Sequence, residues 1–316
     1  MKKTRFLCII TALLLLTSCG RIQKTDYAMG TVVTLSLYKG GNEAVISEAM
    51  DIIKEYEKKL SRNIEGSEID NINQNKTAKV SSDTAELIKK GIYYGDISDG
   101  LFDITIGNVT QLWGFGQKEE VPPESEIKNA VRDVDYKKIS VEGNKVTIYS
   151  DAALDLGGIA KGYIADKVAE YLREMKVDGA IINLGGNVLV IGKNGDEPFK
   201  VGIQSPFDKG STICTILAED VSVVTSGIYE RGFERDGEYY HHILNPKTGY
   251  PGENTLASVT VVAEKSVDAD ALSTALFLQG KEKGMKTAEK LGVDALFIEG
   301  DGSITATDGI VFFEGK

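Results

Sequence analysis

Cysteine, histidine and positive charge are all scarce in this chain of 316 residues, and each scarcity closes off a class of chemistry. Two of the three cysteines, Cys8 and Cys19, lie within the first twenty residues. That leaves Cys214, too little for an internal disulfide, and it reads as a small apolar residue of a strand from Thr212 to Leu217. The only two histidines, His241 and His242, are adjacent, so in a strand they point to opposite sides and cannot share one metal. Zinc catalysis is disfavoured on that ground. Lysine and arginine number 36 against 47 aspartates and glutamates, a net charge of -11, which argues against a nucleic-acid surface. An anionic ligand would need local compensation from a lysine, main-chain amides or a metal ion. No GxGxxG, P-loop or GxSxG motif is present.

What is present begins with the N-terminus. Lys2, Lys3 and Arg5 precede an apolar run from Phe6 to Leu16, too short to span a bilayer. Leu16-Thr17-Ser18-Cys19-Gly20 then resembles a bacterial lipobox, in which the peptide is cut before a cysteine that becomes lipidated. The organisation expected is a signal peptide over 1–18, a tether over 19–26 with its lipid on Cys19, and one domain over 27–316. Such a chain sits on the bacterial cell membrane, lipid-anchored and facing outside the cytoplasm.

Along that domain, Val32 to Tyr38 alternates like a strand, and Ile46, Ala49, Met50, Ile53, Tyr56 and Leu60 recur at helical spacing. A helix is expected from Ser82 or Asp83, then a loop from Gly100 to Gly116. Trp113 in that loop reads equally as core or as the wall of an aromatic-ligand pocket. A further helix follows Gly162, with Ile164, Val168, Leu172 and Met175 on its apolar face. Strands Ala180–Asn187, Val221–Val224, Ala257–Val262 and a C-terminal hairpin complete the pattern. Strands often follow strands, so the fold class expected is α+β, a mixed or antiparallel sheet with packed helices.

Two stretches could carry chemistry. Asp155 to Asp166 reads DLGGIAKGYIAD: a glycine pair, Lys161 and a helix start, which together suit a phosphate. The bland reading is a tight turn. Asp270 and Thr274 stand four apart on a helix, one turn from each other, with Ser273 and Asp268 nearby. They offer hard oxygens of the kind Mg²⁺ takes, or else Asp270 serves only as a first-turn helix charge.

In order along the chain come AMGT (Ala28 to Thr31), FDITIG and LWGFG (Phe102 to Gly116), DLGGIAKGYIAD, and NLGGN (Asn183 to Asn187). TSG with YER (Thr225 to Arg231), HHILNPKTGYP (His241 to Pro251) and SVTVVA with DADALSTALF (Ser258 to Phe277) complete the series. This series resembles the ApbE family of FAD:protein FMN transferases. The resemblance implies a Mg²⁺-dependent, membrane-tethered enzyme that cleaves the FAD pyrophosphate and joins FMN to a Thr or Ser of an extracytoplasmic redox protein. It implies metal ligation by the main-chain oxygen of Ala160, with Asp270, Thr274 and Ser273. It implies FAD contacts at Met29, Leu101, Phe102, Asp103, Gly157, Tyr163 and Leu244, with Lys161, Asp155, Trp113 and His242 in the same motifs. His242 is expected among the catalytic residues with Asp270 and Thr274. Where many members have an aromatic after the first long helix, this chain reads Ser61-Arg62-Asn63. Asn63 therefore opens a second expectation, hydrolysis of FAD to FMN and AMP. No acceptor segment of the DxxTGAT type occurs, so the acceptor is another protein.

Overall fold

The structure, a computed structural model, describes residues 21–314. The expected signal peptide and lipidated Cys19 lie outside the described residues. The first described segment corrects the expected tether: β1 (Ile22–Ala28) pairs antiparallel with β2 (Thr31–Lys39), from Ile22↔Leu37 to Ala28↔Thr31. Its inward side chains include Lys24 and Asp26, held by Ser47 and Lys54 on α1 (Glu43–Leu60). Polar pairs, rather than apolar alternation, dock this edge strand, so hydrophobic pattern could not reveal it.

On α1, Ile46, Ala49, Met50, Ile53 and Leu60 are buried, and Asn42 caps its first turn. Next come α2 (Glu68–Asn75), β3 (Thr77–Lys79) and α3 (Ser82–Ile97), capped by Ser67 and Ser81 ahead of the two helices. The expected loop from Gly100 to Gly116 contains a short helix, α4 (Gly107–Trp113). Val109 and Trp113, four apart, bury one side of it, and Gly114 ends it in a left-handed conformation. Then follow α5 (Glu124–Val131), β4 (Ile139–Glu142), β5 (Lys145–Ile148) and α6 (Ala160–Glu174). Met175 lies just past the end of α6, exposed, instead of on its apolar face.

Gly185-Gly186 turns β6 (Gly179–Leu184) back into β7 (Asn187–Gly192). The remaining elements are β8 (Phe199–Gln204), β9 (Thr212–Ala218), β10 (Ser222–Gly227), β11 (Gly232–Arg235), β12 (Glu238–His241) and β13 (Leu256–Ala263). The chain closes with α7 (Ser266–Gln279), α8 (Lys281–Leu291), β14 (Asp294–Glu299), β15 (Ile304–Ala306) and β16 (Phe312–Glu314).

The class is α+β, as the sequence pattern implies. The main sheet runs β1-β2-β6-β7-β10-β13-β14-β15, with antiparallel pairs throughout. The largest core joins this sheet to α1, α3, α6 and α7. A smaller core, with buried Cys214, lies between the sheet and the strands β8, β9 and β16. A third gathers around Trp113.

Helix α7 decides where the site forms. Val267, Ala269, Ala271, Leu272, Ala275, Leu276 and Phe277 bury it nearly all round, as expected of a helix wedged between a sheet and another helix. Its neighbour α6 can come this close only because residue 162 is glycine. A Cβ there would stand 2.2 Å from the Ser266 carbonyl oxygen and 2.7 Å from the Asp270 Cβ.

Candidate active site at the crossing of two helices

At that crossing Asp270 is only 5% exposed, and its Oδ2 accepts the Gly162 N–H at 2.8 Å. Burial raises its pKa, while Lys161, that amide and the Asn187 side chain pull the other way. One turn on, Thr274 Oγ1 lies 3.0 Å from Ser226 Oγ, which also lies 2.8 Å from Ser273 Oγ. Ser273 donates to the Asp270 carbonyl at 2.9 Å, bracing the same turn. Across from them is the start of α6. A Cβ on Gly158 would stand 3.9 Å from Thr274 Oγ1, and Ala160 lies between Gly158 and Gly162. The structure thus brings Asp270, Ser273 and Thr274 against the start of α6, the helix that Ala160 opens.

Charged groups surround this pair. Lys161 acts electrostatically on Asp270, Glu230 and His242, and Arg231 acts on Glu230 and His242. Desolvation raises the Glu230 pKa against both cations. The Arg231 guanidinium is 3.9 Å from where a Cβ on Gly30 would be, so the Met29-Gly30 turn belongs to the same neighbourhood. Met29, in a left-handed conformation, is anchored by its N–H to Glu57 Oε1 at 2.6 Å. Phe102 is buried against the glycine pair, its ring edge 3.1 Å from where a Cβ on Gly158 would stand.

The two histidines divide as their adjacency implies. His241 faces inward, with Nε2 3.2 Å from the Gly252 carbonyl and its ring edge-on to Phe277. His242 places Nδ1 3.2 Å from the Arg231 carbonyl. A carbonyl only accepts, so Nδ1 carries the proton in this arrangement and Nε2 keeps its lone pair. Burial, together with Arg231, lowers the His242 pKa to about 4.

Other expected residues stand elsewhere. The Tyr163 side chain turns toward α1 and α3: its hydroxyl lies 3.1 Å from Glu86 Oε2, and its ring is edge-on to Tyr56. The Asp103 carboxylate is spent on the Thr105 amide and hydroxyl and on the Tyr136 amide. Leu101 is half-buried beside Phe102. Leu244 packs with Trp113, whose indole donates to the Gly249 carbonyl at 2.7 Å; Trp113 is core. The Gly157 N–H donates to Asp155 Oδ1 at 2.8 Å. Asn63 lies exposed on the turn after α1.

The ApbE family model matches residues 29–297. The chain belongs to the ApbE family. Among its relatives, the FAD:protein FMN transferase of Klebsiella pneumoniae (strain 342) is 37% identical, over 85% of this chain and 86% of its own. That of Treponema pallidum (strain Nichols) is 34% identical, over 93% and 90%. The crystal structure of the ApbE protein from Thermotoga maritima superposes with a TM-score of 0.85 at 32% identity, covering 92% of this chain and 97% of that one.

Several residues of this ApbE chain's site were not singled out by sequence. Arg62 donates to the Gly107 carbonyl (2.5 Å), Thr110 Oγ1 (2.6 Å) and Asp155 Oδ2 (3.2 Å), and so ties α4 to the glycine loop. Glu230, Arg231, Ser226 and Asn187 lie inside or beside recognised motifs, but no periodicity marks them. The side chains of this turn suit a hard divalent cation: a carboxylate on Asp270 and a hydroxyl on Thr274, both oxygen. Among the described residues no three His, Cys, Asp or Glu gather at one point. A cation here would share itself with substrate oxygens, the usual habit of Mg²⁺. Asn187 is buried and sets its side chain against this carboxylate, which marks the spot as polar.

Proposed function

We propose that this chain transfers FMN from FAD to a Thr or Ser hydroxyl of an extracytoplasmic protein, with Mg²⁺ held by Asp270, Thr274 and the Ala160 carbonyl. The observation that carries it is the meeting of the Asp270/Thr274 turn with the glycine-flanked, Lys161-bearing start of α6. Bound there, Mg²⁺ would offset pyrophosphate charge, which phosphoryl transfer needs more than covalent help. Lys161 and Arg231 draw in the phosphates, and the glycines let main chain approach them. One O–P bond forms from the acceptor oxygen to the FMN phosphorus, and the pyrophosphate P–O bond breaks. AMP leaves with that electron pair, and the hydroxyl proton passes to His242 Nε2. A histidine with a pKa near 4 stays neutral at pH 7, and an incoming anionic substrate strengthens it as a base.

Water in place of the acceptor hydroxyl would give FMN and AMP. This second reading rests on Asn63, which stands exposed where the resemblance expects an aromatic. The test is a product assay with FAD and Mg²⁺, with and without an acceptor, following AMP, free FMN and protein-bound flavin fluorescence separately. Fluorescent acceptor plus AMP supports transfer; AMP with only free FMN supports hydrolysis. FAD binding that survives chelation, with no AMP, would leave a flavin-binding protein without catalysis. The membrane anchor is part of the same reading: Cys19→Ser should move the protein from the membrane to the soluble fraction, and continued retention would contradict it.

A further inference from the structure

A cavity of about 750 Å³ adjoins the site, bounded on one side by residues 229–234 and on the other by residues 116–119. Its lining on the first side runs through the turn 229–231 into β11 at 232–234, with Tyr239 of β12 alongside. The ribbon geometry shows which groups the outer edge of β11 presents. Asp236 and Gly237, both at positive φ, make a two-residue hairpin turn closed by Arg235↔Glu238. Bonded and non-bonded pairs alternate from there, and the His242 N–H to Arg231 carbonyl bond at 3.1 Å confirms the phase. Gly232 and Glu234 therefore turn their amide and carbonyl groups away from β12. Among the described residues no second strand flanks β11, and no hydrogen bond reaches those groups.

The lining also indicates what fits. Lys118, Lys209 and Arg231 are matched by Glu119, Glu230 and Glu234, so the slot has no net preference for an anion. Tyr229 and Tyr239 offer apolar surface between those charges, above the buried Phe233. A neutral main chain with alternating side chains meets both conditions. Glu230 and Arg231 belong at once to this slot and to the charged group around Asp270, so the slot leads to the phosphate site.

We infer that the acceptor protein docks here as an added strand. An extended segment pairs with the main chain of Gly232 and Glu234 and carries its hydroxyl residue past Arg231. This rests on the transfer reading above. A free edge supplies affinity through backbone bonds, so it can serve acceptors of different sequence.

The test compares Glu234→Pro with Glu234→Ala, using a soluble domain that bears a DxxTGAT segment as the acceptor. Proline removes the outward N–H and crowds the edge without breaking a β11–β12 bond. FAD binding and melting report that each variant is folded. Glu234→Pro should transfer FMN at least about fivefold more slowly, chiefly through a higher KM for the acceptor, since one hydrogen bond and the approach to it are lost. Glu234→Ala, which keeps the N–H, should recover most of that loss. Equal rates for the two variants would overturn the inference. Independently, acceptor added to the wild type should slow hydrogen exchange at the Gly232 and Glu234 amides, and unchanged exchange would overturn it too. If the wild type releases no AMP and labels no acceptor, the transfer reading itself fails, and the exchange result still decides docking.

Discussion

Asp166 and Asp270 are two buried acids at one helix crossing, and they are used in opposite ways. Asp166, on α6, spends both oxygens on the first amides of α7, Ser266 at 2.9 Å and Val267 at 3.0 Å. Helix α7 has no cap of its own, since Lys265 precedes it, so α6 supplies one from outside. Asp270 reaches back one turn along the same contact and takes a single amide, from Gly162. Beyond that amide, the carboxylate meets the Asn187 side chain and the charge of Lys161. Desolvation raises both pKa values, so a raised pKa alone does not identify the working acid. What distinguishes them is the partners they meet. A carboxylate bound to two main-chain amides holds the fold together, and one set beside a lysine and a side-chain amide can hold a ligand.

The largest effects should come from breaking each acid in turn. Asp270→Ala should lower AMP release at least about a hundredfold, as for loss of a group that stabilises transition-state charge, with melting shifted by only a few degrees. Asp166→Ala should do the reverse. Two amides at the start of α7 lose their acceptor, costing about 2 kcal/mol in a denaturant titration, while the folded fraction still turns over. Activity lost equally in both, or stability lost equally in both, would erase the distinction.

A smaller effect is expected at Arg62, which acts on the site through Asp155. Arg62→Met severs the tie between α4 and the glycine loop and should raise the KM for FAD by about three- to tenfold, with kcat less affected. An unchanged KM would show that the loop holds its position without the tie. Smallest is a pH effect from the inward-facing histidine. Burial lowers the His241 pKa to about 4 from 6.5, so between those values the unfolded chain binds a proton that the folded chain declines. Its contribution is present above about pH 6.5 and is lost as the pH falls toward 4. The buried acids Asp103, Asp166 and Asp270, with raised pKa values, act in the opposite sense. The readout is therefore the difference: His241→Gln should flatten the fall in stability relative to wild type across that window.

Where one physical signal dominated, the sequence was easy to read. α1 follows from helical spacing of large apolar residues, and β13 from a run buried from Leu256 to Val261. β1 was hidden because its inward residues are Lys24 and Asp26, and α4 because seven residues between glycines give little periodicity. At the site, Asp270 and Thr274 were legible through their four-residue spacing, although spacing alone could not separate a ligand pair from a helix cap. Arg62, Glu230 and Arg231 were not, because their partners come from distant segments that only the fold brings close. Tyr163 stands next to Gly162 in the central motif, yet one residue along a helix turns its side chain by about 100°, toward α1 and α3.

The most direct test follows the two carboxyls themselves. With aspartate ¹³C-labelled at Cγ and the Asp166 and Asp270 resonances assigned by substitution, Mg²⁺ is titrated into the protein with FAD present. The account predicts that the Asp270 resonance moves with Mg²⁺ while that of Asp166 stays where it was. A stationary Asp270 resonance, or one that moves only in step with Asp166, would contradict it.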